Sequence, residues 1–249
     1  MAMPATRDET TGPVDPTRPV APQVADALRE AVIGGDLPPG ARISEAEIAA
    51  RYGVSRQPVR EAFIRLSVEG LIAVLPHRGT TVARIAVASV IEARFVREAV
   101  EADIVRLLAE DPERADLPAL RAEIAAQRSA DPAEARAFIA LDDRFHQRLA
   151  EAAGKAGMWR RVHGLKAQMD RVRVLSLEQF PMSQLVAQHV AVVDRIAAGD
   201  PAEAERAMRA HLRAVLSDLP AIIAAHPDFF DAPEVGPETK LVSIKGGKT

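Results

Sequence analysis

The stretch GVSRQPVREAF, residues 53–63, decides the fold of the N-terminal part of this chain. It predicts a tight turn followed by a helix, for which Ser55 is a suitable N-cap because its hydroxyl can accept a backbone N–H of the first turn. Apolar residues recur at helical spacing and give that helix one buried face. Arg56, Gln57 and Arg60 lie beside this face, where such residues either contact bases in a major groove or simply cover a solvated helix.

Two helices are predicted before this stretch and a β-hairpin after it. Residues 20–33 are amphipathic, and Ser44 with Glu47 three residues later forms a capping-box pattern that begins a second, short helix. Two β-prone runs, 71–75 and 80–85, enclose a basic turn. Three helices followed by a hairpin are typical of a winged helix-turn-helix, whose wing tip would lie near the phosphate backbone or the minor groove of DNA.

The composition is that of a globular protein with a helical bias. Of the 249 residues, 48% are hydrophobic, 27% charged and 4% aromatic. The net charge of −3 argues against a uniformly basic nucleic-acid binder, but residues 51–65 hold four arginines against one glutamate, so a local basic patch is expected. The absence of cysteine excludes disulfides and thiolate metal sites. Without an apolar run long enough for a membrane span, or a recognisable secretory signal, a cytoplasmic protein with no membrane partner is expected.

The remainder of the chain has helical periodicity and predicts an antiparallel bundle. Glycine and proline interruptions divide it into six helices, near 87–111, 117–130, 133–153, 157–177, 182–198 and 201–225. The predicted fold class is mainly α, with a winged helix-turn-helix followed by an all-α antiparallel helical bundle. The predicted boundaries are a disordered arm over 1–19, the winged domain over 20–85, the bundle over 86–225 and a loose C-terminal tail over 226–249.

Four residues of the bundle have the spacing of a metal site. Asp142 and His146 are four residues apart, so both side chains leave one face of the third bundle helix. His189 and His211 are equidistant from the hinge at 199–201, so they lie at the same height in an antiparallel helical pair. One carboxylate and three imidazoles predict a divalent metal ion, although a single histidine in such a helix is more often a surface residue.

Four separate blocks resemble the DNA-binding domain of GntR-family transcriptional regulators. They are LPPGARISE at 37–45, YGVSRQPVREA at 52–62, EGL at 69–71 and RG at 78–79. The resemblance implies operator contacts at the start of the recognition helix and at the wing tip, which in this chain are Ser55, Arg56, Gln57, Arg60, Arg78 and Gly79. Ala46 stands where many members carry arginine, and Gln57 replaces a common threonine.

The bundle resembles the FCD effector domain of GntR regulators. The matching blocks are LDDRFH at 141–146, QH at 188–189, AGD at 198–200 and MRAHL at 208–212. The resemblance implies that the metal ligands, beside an effector cavity, are Asp142, His146, His189 and His211. Zinc is expected first, with nickel, manganese or iron as alternatives.

The effector implied by this arrangement is a small carboxylate or sugar acid. Arg97, four residues before Glu101, matches an Arg/Glu pair common in the domain and is the first candidate to bind the acid. Arg171 and Arg173 are the further candidates. Arg97 and Glu101 can equally be a simple ion pair on the surface of a helix.

With both resemblances, the leading hypothesis is a ligand-responsive regulator, a repressor, that binds an inverted-repeat operator in double-stranded DNA as a homodimer. Effector binding at the metal would shift the population of domain arrangements. The alternative is a metal-dependent hydrolytic enzyme built on the bundle, in which the ion activates water. That alternative leaves the winged helix unexplained, and a third one, an architectural DNA binder, leaves the metal-type residues without a role.

Overall fold

The computed structural model describes residues 14–75, 79–131, 134–177 and 179–231. A winged helix-turn-helix precedes a helical domain, which confirms the predicted fold class. The winged domain consists of α1 (Val20–Ile33), β1 (Arg42–Ile43), α2 (Glu45–Tyr52), α3 (Arg56–Val68), β2 (Ile72–Leu75) and β3 (Gly79–Val82). The helical domain consists of α4 (Val87–Glu110), α5 (Leu117–Arg128), α6 (Ala135–Ala152), α7 (Ala156–His163), α8 (Ala167–Leu177), α9 (Met182–Ala197) and α10 (Pro201–Ala225). Among the described residues, no helix is both long and apolar enough to cross a membrane.

The helix-turn-helix follows from the local sequence. Ser44 caps α2, and its hydroxyl oxygen accepts a hydrogen bond from the Glu47 backbone N–H at 3.1 Å, as predicted. Gly53 ends α2 with a φ of 64°, a left-handed conformation that glycine adopts without strain. Ser55 occupies the N-cap position of α3, but its hydroxyl accepts no cap hydrogen bond from the described backbone, contrary to the prediction. The hydroxyl is thus left exposed at the start of α3.

The wing is a three-stranded antiparallel sheet rather than a hairpin alone. β3 lies between β1 and β2, so Thr81 is paired with Arg42 on one side and with Ala73 on the other. The sequence did not predict β1, because a strand of two residues is too short to show alternation. Residues 76–78, which include the predicted wing-tip contact Arg78, lie outside the described residues.

The prediction of one continuous fourth bundle helix over 157–177 was wrong, because the chain forms two helices there, α7 and α8. Gly164 is the C-cap of α7, and α8 begins three residues later. The low helix propensity of glycine favours an end at this point. The break leaves the buried Lys166 between the two helices.

Both ends of the described chain pack against the protein. In the predicted arm 1–19, residues 14–19 are described, and the Asp15 backbone N–H donates to the Gln23 side-chain oxygen at 2.9 Å. The start of the predicted loose tail also departs from the prediction. Phe230 is buried there and forms a parallel β-bridge with Ile85. Burial of an aromatic side chain offsets the entropy lost on ordering these residues.

Three clusters of buried side chains form the core. One fills the winged domain, one fills the bundle, and the third joins α4, α8 and α10 to Ile85 and Phe230. Ala167 of α8 belongs to the winged-domain cluster, so the two domains share a packed contact. This contact links the bundle, with its predicted metal ligands, to the domain that carries α3.

Candidate metal centre and nucleic-acid interface

The four predicted metal ligands meet inside the helical domain. Asp142 and His146 come from α6, His189 from α9 and His211 from α10. Their ligand atoms lie within 4.8 Å of one another, and all four residues are buried. His211 Nε2 lies 3.3 Å from His146 Nε2 and 3.3 Å from His189 Nε2. Asp142 Oδ1 lies 3.4 Å from His189 Nε2, so the four residues form one cluster, called here the metal cluster.

Each histidine of the metal cluster presents Nδ1 to a neighbouring oxygen. The three contacts are His146 Nδ1 with Glu101 Oε2 at 2.5 Å, His189 Nδ1 with Gln127 Oε1 at 2.7 Å, and His211 Nδ1 with Gln188 Oε1 at 2.8 Å. The contacts of His189 and His211 are hydrogen bonds, and that of His146 is an ion-pair contact with Glu101. Such neighbouring oxygens fix the ring orientation and the tautomer of a metal-ligating histidine.

For His189 and His146, the chemistry of the contacting oxygen indicates which ring nitrogen carries the proton. The Gln127 amide N–H donates to the Leu141 carbonyl at 3.2 Å, so its Oε1 faces His189 and accepts the Nδ1 proton. An ionised Glu101 can only accept, so His146 also carries its proton on Nδ1. A neutral imidazole protonated at Nδ1 presents a lone pair at Nε2. The cluster therefore directs lone pairs and a carboxylate at one point, an arrangement that a cation stabilises.

Burial favours the neutral forms of His189 and His211. It lowers the pKa of His189 to about 3, although the neighbouring Asp142 raises it. Burial, His189 and His146 together hold the pKa of His211 well below its ordinary value. Burial would raise the pKa of Asp142, but His146 and His189 hold it below the usual range. Neutral imidazole and ionised carboxylate are the forms that bind metal, so these residues could hold a metal ion.

Two of the three predicted effector-binding arginines lie beside the metal cluster. Arg97 Nε donates to Glu101 Oε1 at 2.7 Å, while its Nη2 is buried without a hydrogen-bond partner among the described residues. Arg173 is 7% exposed and has no hydrogen bond or ion pair in the described part of the chain. Burial lowers the pKa of Arg173, whereas the nearby Asp142 raises it. Buried guanidinium groups with donors to spare favour an anionic ligand.

A polar cavity of about 310 Å³ lies next to the cluster. Arg173, Gln188, Ser217 and Asp218 are among its lining residues, and Gln188 also contacts His211. The volume is at the lower end of small-molecule sites. A larger cavity of about 570 Å³, lined by α1, α6 and α8, lies at the domain junction and not at the cluster.

The third predicted effector-binding arginine, Arg171, lies elsewhere. Its Nη1 donates to Gln168 Oε1 at 3.3 Å, and the carboxylate that attracts it is that of Asp231. Burial lowers the pKa of Arg171 to about 10. The structure thus places Arg171 at the domain junction, apart from Arg97 and Arg173.

The start of α3 is exposed, as a base-contacting surface requires. Arg56 is exposed and has no ion pair or hydrogen bond within the described ranges. Gln57 Nε2 donates to Glu61 Oε1 at 3.1 Å, and Arg60 Nε donates to Glu45 Oε1 at 3.1 Å. The Arg60 pair is solvent-exposed and hence weak, so it can open when a base offers a better partner. Of the three side chains, Arg56 can contact DNA without first losing a partner.

The remaining predicted DNA contacts flank this surface. Ser55 is exposed immediately before α3, and Gly79 begins β3 with a φ of 86°. The positive φ favours glycine at this first position of the strand.

Three residues beside the metal cluster are not indicated by the sequence patterns. Gln127 and Gln188 accept from the histidines, and the Trp159 ring lies parallel to that of His146 with centroids 6.1 Å apart. Gln188 directly precedes His189, and Trp159 is the single tryptophan of the chain. Gln127 carries no local signal at all, because its partner lies 62 residues away.

The fold and the site together define a DNA-binding regulator that could hold a metal ion. Residues 21–82 match the bacterial regulatory proteins of the gntR family, and residues 92–214 match the FCD domain. The chain belongs to the GntR family of transcriptional regulators, with an FCD domain after its winged helix. GntR regulators bind DNA and usually form dimers.

Similar proteins and solved structures support the assignment to this family. A helix-turn-helix regulator in an unstable DNA locus of Streptomyces ambofaciens is 41% identical over 82% of this chain and 86% of its own length. The HTH-type transcriptional repressor RspR of Escherichia coli is 35% identical over 87% of this chain and 96% of its own. A putative GntR regulator from Rhodococcus sp. RHA1 has a crystal structure with a TM-score of 0.63 and 27% identity, covering 81% of this chain and 98% of that one.

Proposed function

We propose that this chain is a ligand-responsive repressor that binds an inverted-repeat operator as a homodimer. A small carboxylate or sugar acid, bound beside a metal ion in the metal cluster, modulates that binding. The observation that carries the proposal is the buried convergence of three imidazoles and one carboxylate in a chain whose recognition helix exposes Arg56. The relative RspR, named as a transcriptional repressor, supports the direction of regulation.

Zinc is the ion proposed for the cluster. In a tetrahedral zinc site with imidazole ligands, neighbouring ligand atoms lie about 3.4 Å apart. Three of the spacings between cluster atoms, 3.3, 3.3 and 3.4 Å, are close to this value, while Asp142 Oδ2 lies 3.9 Å from His146 Nε2. Nickel, manganese and iron accept the same ligand types and are the alternatives. Elemental analysis of the protein, purified without chelator, identifies the ion, and failure to take up any divalent ion contradicts the site.

The effector proposed is a small hydroxylated acid. When bound, the metal supplies a Lewis-acidic centre for an effector oxygen. Arg173 and Arg97 can each donate to a carboxylate, while Ser217 and Asp218 offer hydrogen-bond partners for hydroxyl groups. Thermal unfolding in the presence of a panel of aliphatic and hydroxylated acids tests this choice, because a ligand that binds the native state raises its stability. Stabilisation by amines or neutral sugars alone would contradict it.

Replacing Gln127 by leucine is expected to weaken zinc binding by about 10- to 100-fold, because partners that orient metal-ligating histidines have effects of that size. Competition with a chromophoric chelator measures the affinity. Gln147→Leu is the matched control, since Gln147 is exposed on α6 and bonds only to Glu151 among described residues. Equal zinc affinity in both variants would contradict the orienting role of Gln127.

For the hydrolytic alternative, no suitable general base lies beside the cluster among the described residues. Glu101, a further carboxylate beside the imidazoles, is held by both Arg97 and His146. Burial would raise the pKa of Glu101, but these two neighbours lower it to about 2, so it is a poor proton acceptor. We therefore propose that the ion binds the effector and does not activate water.

Dimerisation is proposed to use the exposed face of α4. Phe95 is 66% exposed there and Ile91 is 40% exposed one turn before it. Phe95→Glu is expected to shift the protein to monomers in sedimentation analysis. Operator affinity should then fall by about 100-fold or more, because two linked half-site contacts exceed one by such factors. Met158→Glu, an equivalent change on α7, is the control, and a stable dimer of the Phe95 variant would rule out this face.

The repressor function is tested by a gel shift with the region upstream of the gene that encodes the chain. Specific retardation that survives competitor DNA is expected, with an affinity that changes when EDTA removes the metal. Retardation that competitor DNA abolishes would favour an architectural DNA binder instead. Hydrolysis of an ester or amide panel by the zinc-loaded protein, lost in His189→Ala, would favour the enzyme.

A further inference from the structure

Lys166, between α7 and α8, is a lysine that is only 1% exposed. Its ammonium lies 2.8 Å from Asp143 Oδ1 on α6 and also contacts Asp170 Oδ1 on α8. Charged groups buried to this extent persist only where their partners compensate them. Asp143, Lys166 and Asp170, called here the junction triad, tie α6 to α8, because separating them would leave a buried charge without a partner.

One end of the junction triad adjoins the metal cluster. Asp143 directly follows the cluster residue Asp142 on α6. Consecutive residues of a helix are about 100° apart around its axis, so Asp142 faces the imidazoles while Asp143 faces Lys166. A shift or rotation of α6 that brings Asp142 toward the imidazoles moves Asp143 as well, and the triad carries this movement to α8.

The other end reaches the recognition helix. Ala167, next to Lys166, is buried in the core of the winged domain, and Gln168 Nε2 donates to the Gly70 carbonyl at 2.7 Å. Gly70 follows the C-cap of α3 and has a φ of 69°. Arg171 donates to Gln168 Oε1, which orients the amide so that its N–H groups face Gly70. Contiguous contacts thus run from α6 through α8 to the end of α3.

We propose that Lys166 and Gln168 are positioning residues that set the orientation of the recognition helix according to the occupancy of the metal cluster. The inference rests on the proposed function, in which that cluster binds a metal ion. Occupancy favours one position of α6, the junction triad transmits the preference to α8, and Gln168 transmits it to Gly70. An element with two arrangements that both sites bias is what coupling between distant sites requires.

A second contact between the domains provides an internal control. Arg136 on α6 donates to the Gly34 carbonyl at 3.0 Å and pairs with Asp36, and both charged side chains are more than 40% exposed. This contact ends near α1 and does not reach α3. Its removal should loosen the domain junction without interrupting the route through Lys166.

Hydrogen exchange of the full-length protein, zinc-loaded and chelator-stripped, tests the inference. Wild type is expected to gain protection on zinc loading both around 142–150 and at 66–72. Lys166→Met and Gln168→Met should each keep the zinc content and the protection around 142–150 but lose the zinc-dependent change at 66–72. Lys155→Met, an exposed lysine near α7, and Arg136→Ala should retain both changes. Gln168→Met carries the test if Lys166→Met does not fold, since it leaves the junction triad intact.

A zinc-dependent change at 66–72 that persists in both Met variants would overturn the inference, and so would the absence of any such change in wild type. Loss of the change in Arg136→Ala would also contradict the route through Lys166. Operator binding, measured on the same samples, keeps the proposed function separate. A wild-type protein that takes up zinc but binds no operator contradicts the repressor, whereas the exchange result still decides the role of Lys166 and Gln168.

Discussion

His189→Ala is expected to reduce the metal content of the protein from about one ion per chain to about none. The substitution removes the imidazole whose Nε2 lies 3.4 Å from Asp142 Oδ1 and 3.3 Å from His211 Nε2, and it leaves Gln127 Oε1 without its hydrogen bond to Nδ1. Because an ion that binds only the folded state stabilises it, stripping wild type from a metal level 1,000 times its Kd should cost about 4 kcal/mol of apparent stability. Elemental analysis and thermal unfolding, each with and without chelator, measure the two effects.

The decisive quantity is the difference in stability between the protein with chelator and the protein without it. Wild type should lose stability on chelation, whereas His189→Ala should be insensitive, whatever the replacement itself costs through the cavity that it leaves. His226→Ala is the matched control, because His226 lies at the end of α10, with its ring against Phe229 and outside the cluster. A full metal complement in His189→Ala would contradict the site. Trp159, stacked on His146, offers an independent fluorescence signal for metal uptake.

Arg56→Ala is expected to eliminate specific operator binding while leaving the fold intact. Loss of a bidentate arginine–guanine contact costs about 10- to 100-fold in affinity, and a dimer loses the contact at both half-sites. The side chain is exposed and has no hydrogen bond or ion pair within the described residues, so its removal should leave the stability of the DNA-free protein unchanged. Arg60→Ala should have the same outcome on DNA, although Arg60 must first leave Glu45.

Fluorescence anisotropy with operator and scrambled duplexes measures this effect. Arg56→Ala should bind the two duplexes alike, whereas Arg128→Ala, an exposed arginine on α5, should retain the wild-type preference. Circular dichroism and unfolding temperature check that each variant is folded. An Arg56 variant that still prefers the operator would disprove its role as a base contact.

The two predictions concern two separate sites that are linked by the contacts from α6 through α8 to α3. The metal cluster lies on α6, α9 and α10, while the residues proposed to contact bases lie at the start of α3. A ligand alters DNA binding only if it binds one domain arrangement more tightly than another. The contacts of Lys166 and Gln168 give that preference a physical path, because they join α6 to the end of α3.

Much of this molecule follows from local spacing in the sequence. Regular helix geometry determines that residues four apart share a face, which pairs Asp142 with His146. It also puts His189 and His211 at one height around the hinge at 199–201, and the structure has their Nε2 atoms 3.3 Å apart. The capping pattern of Ser44 and the glycine that ends α2 are equally local, and both are present.

Other features needed the tertiary structure, because they depend on residues that are distant in the chain. The break between α7 and α8 was missed, and with it the buried position of Lys166. Arg171 and Arg173 are two residues apart in the sequence and nothing local distinguishes them. In the packed structure, however, Arg171 donates to Gln168 at the domain junction.

The sequence by itself determined the two-domain plan, the identity of the cluster residues and the exposed start of α3. These features depend on periods and caps that operate within one or two turns of helix. Only the tertiary structure decided which oxygen orients each imidazole, which arginines face the cluster and how α8 meets the winged domain. Those arrangements arise from contacts such as that of Gln127 with His189. These two residues are 62 positions apart in the chain, so no local sequence pattern can predict their contact.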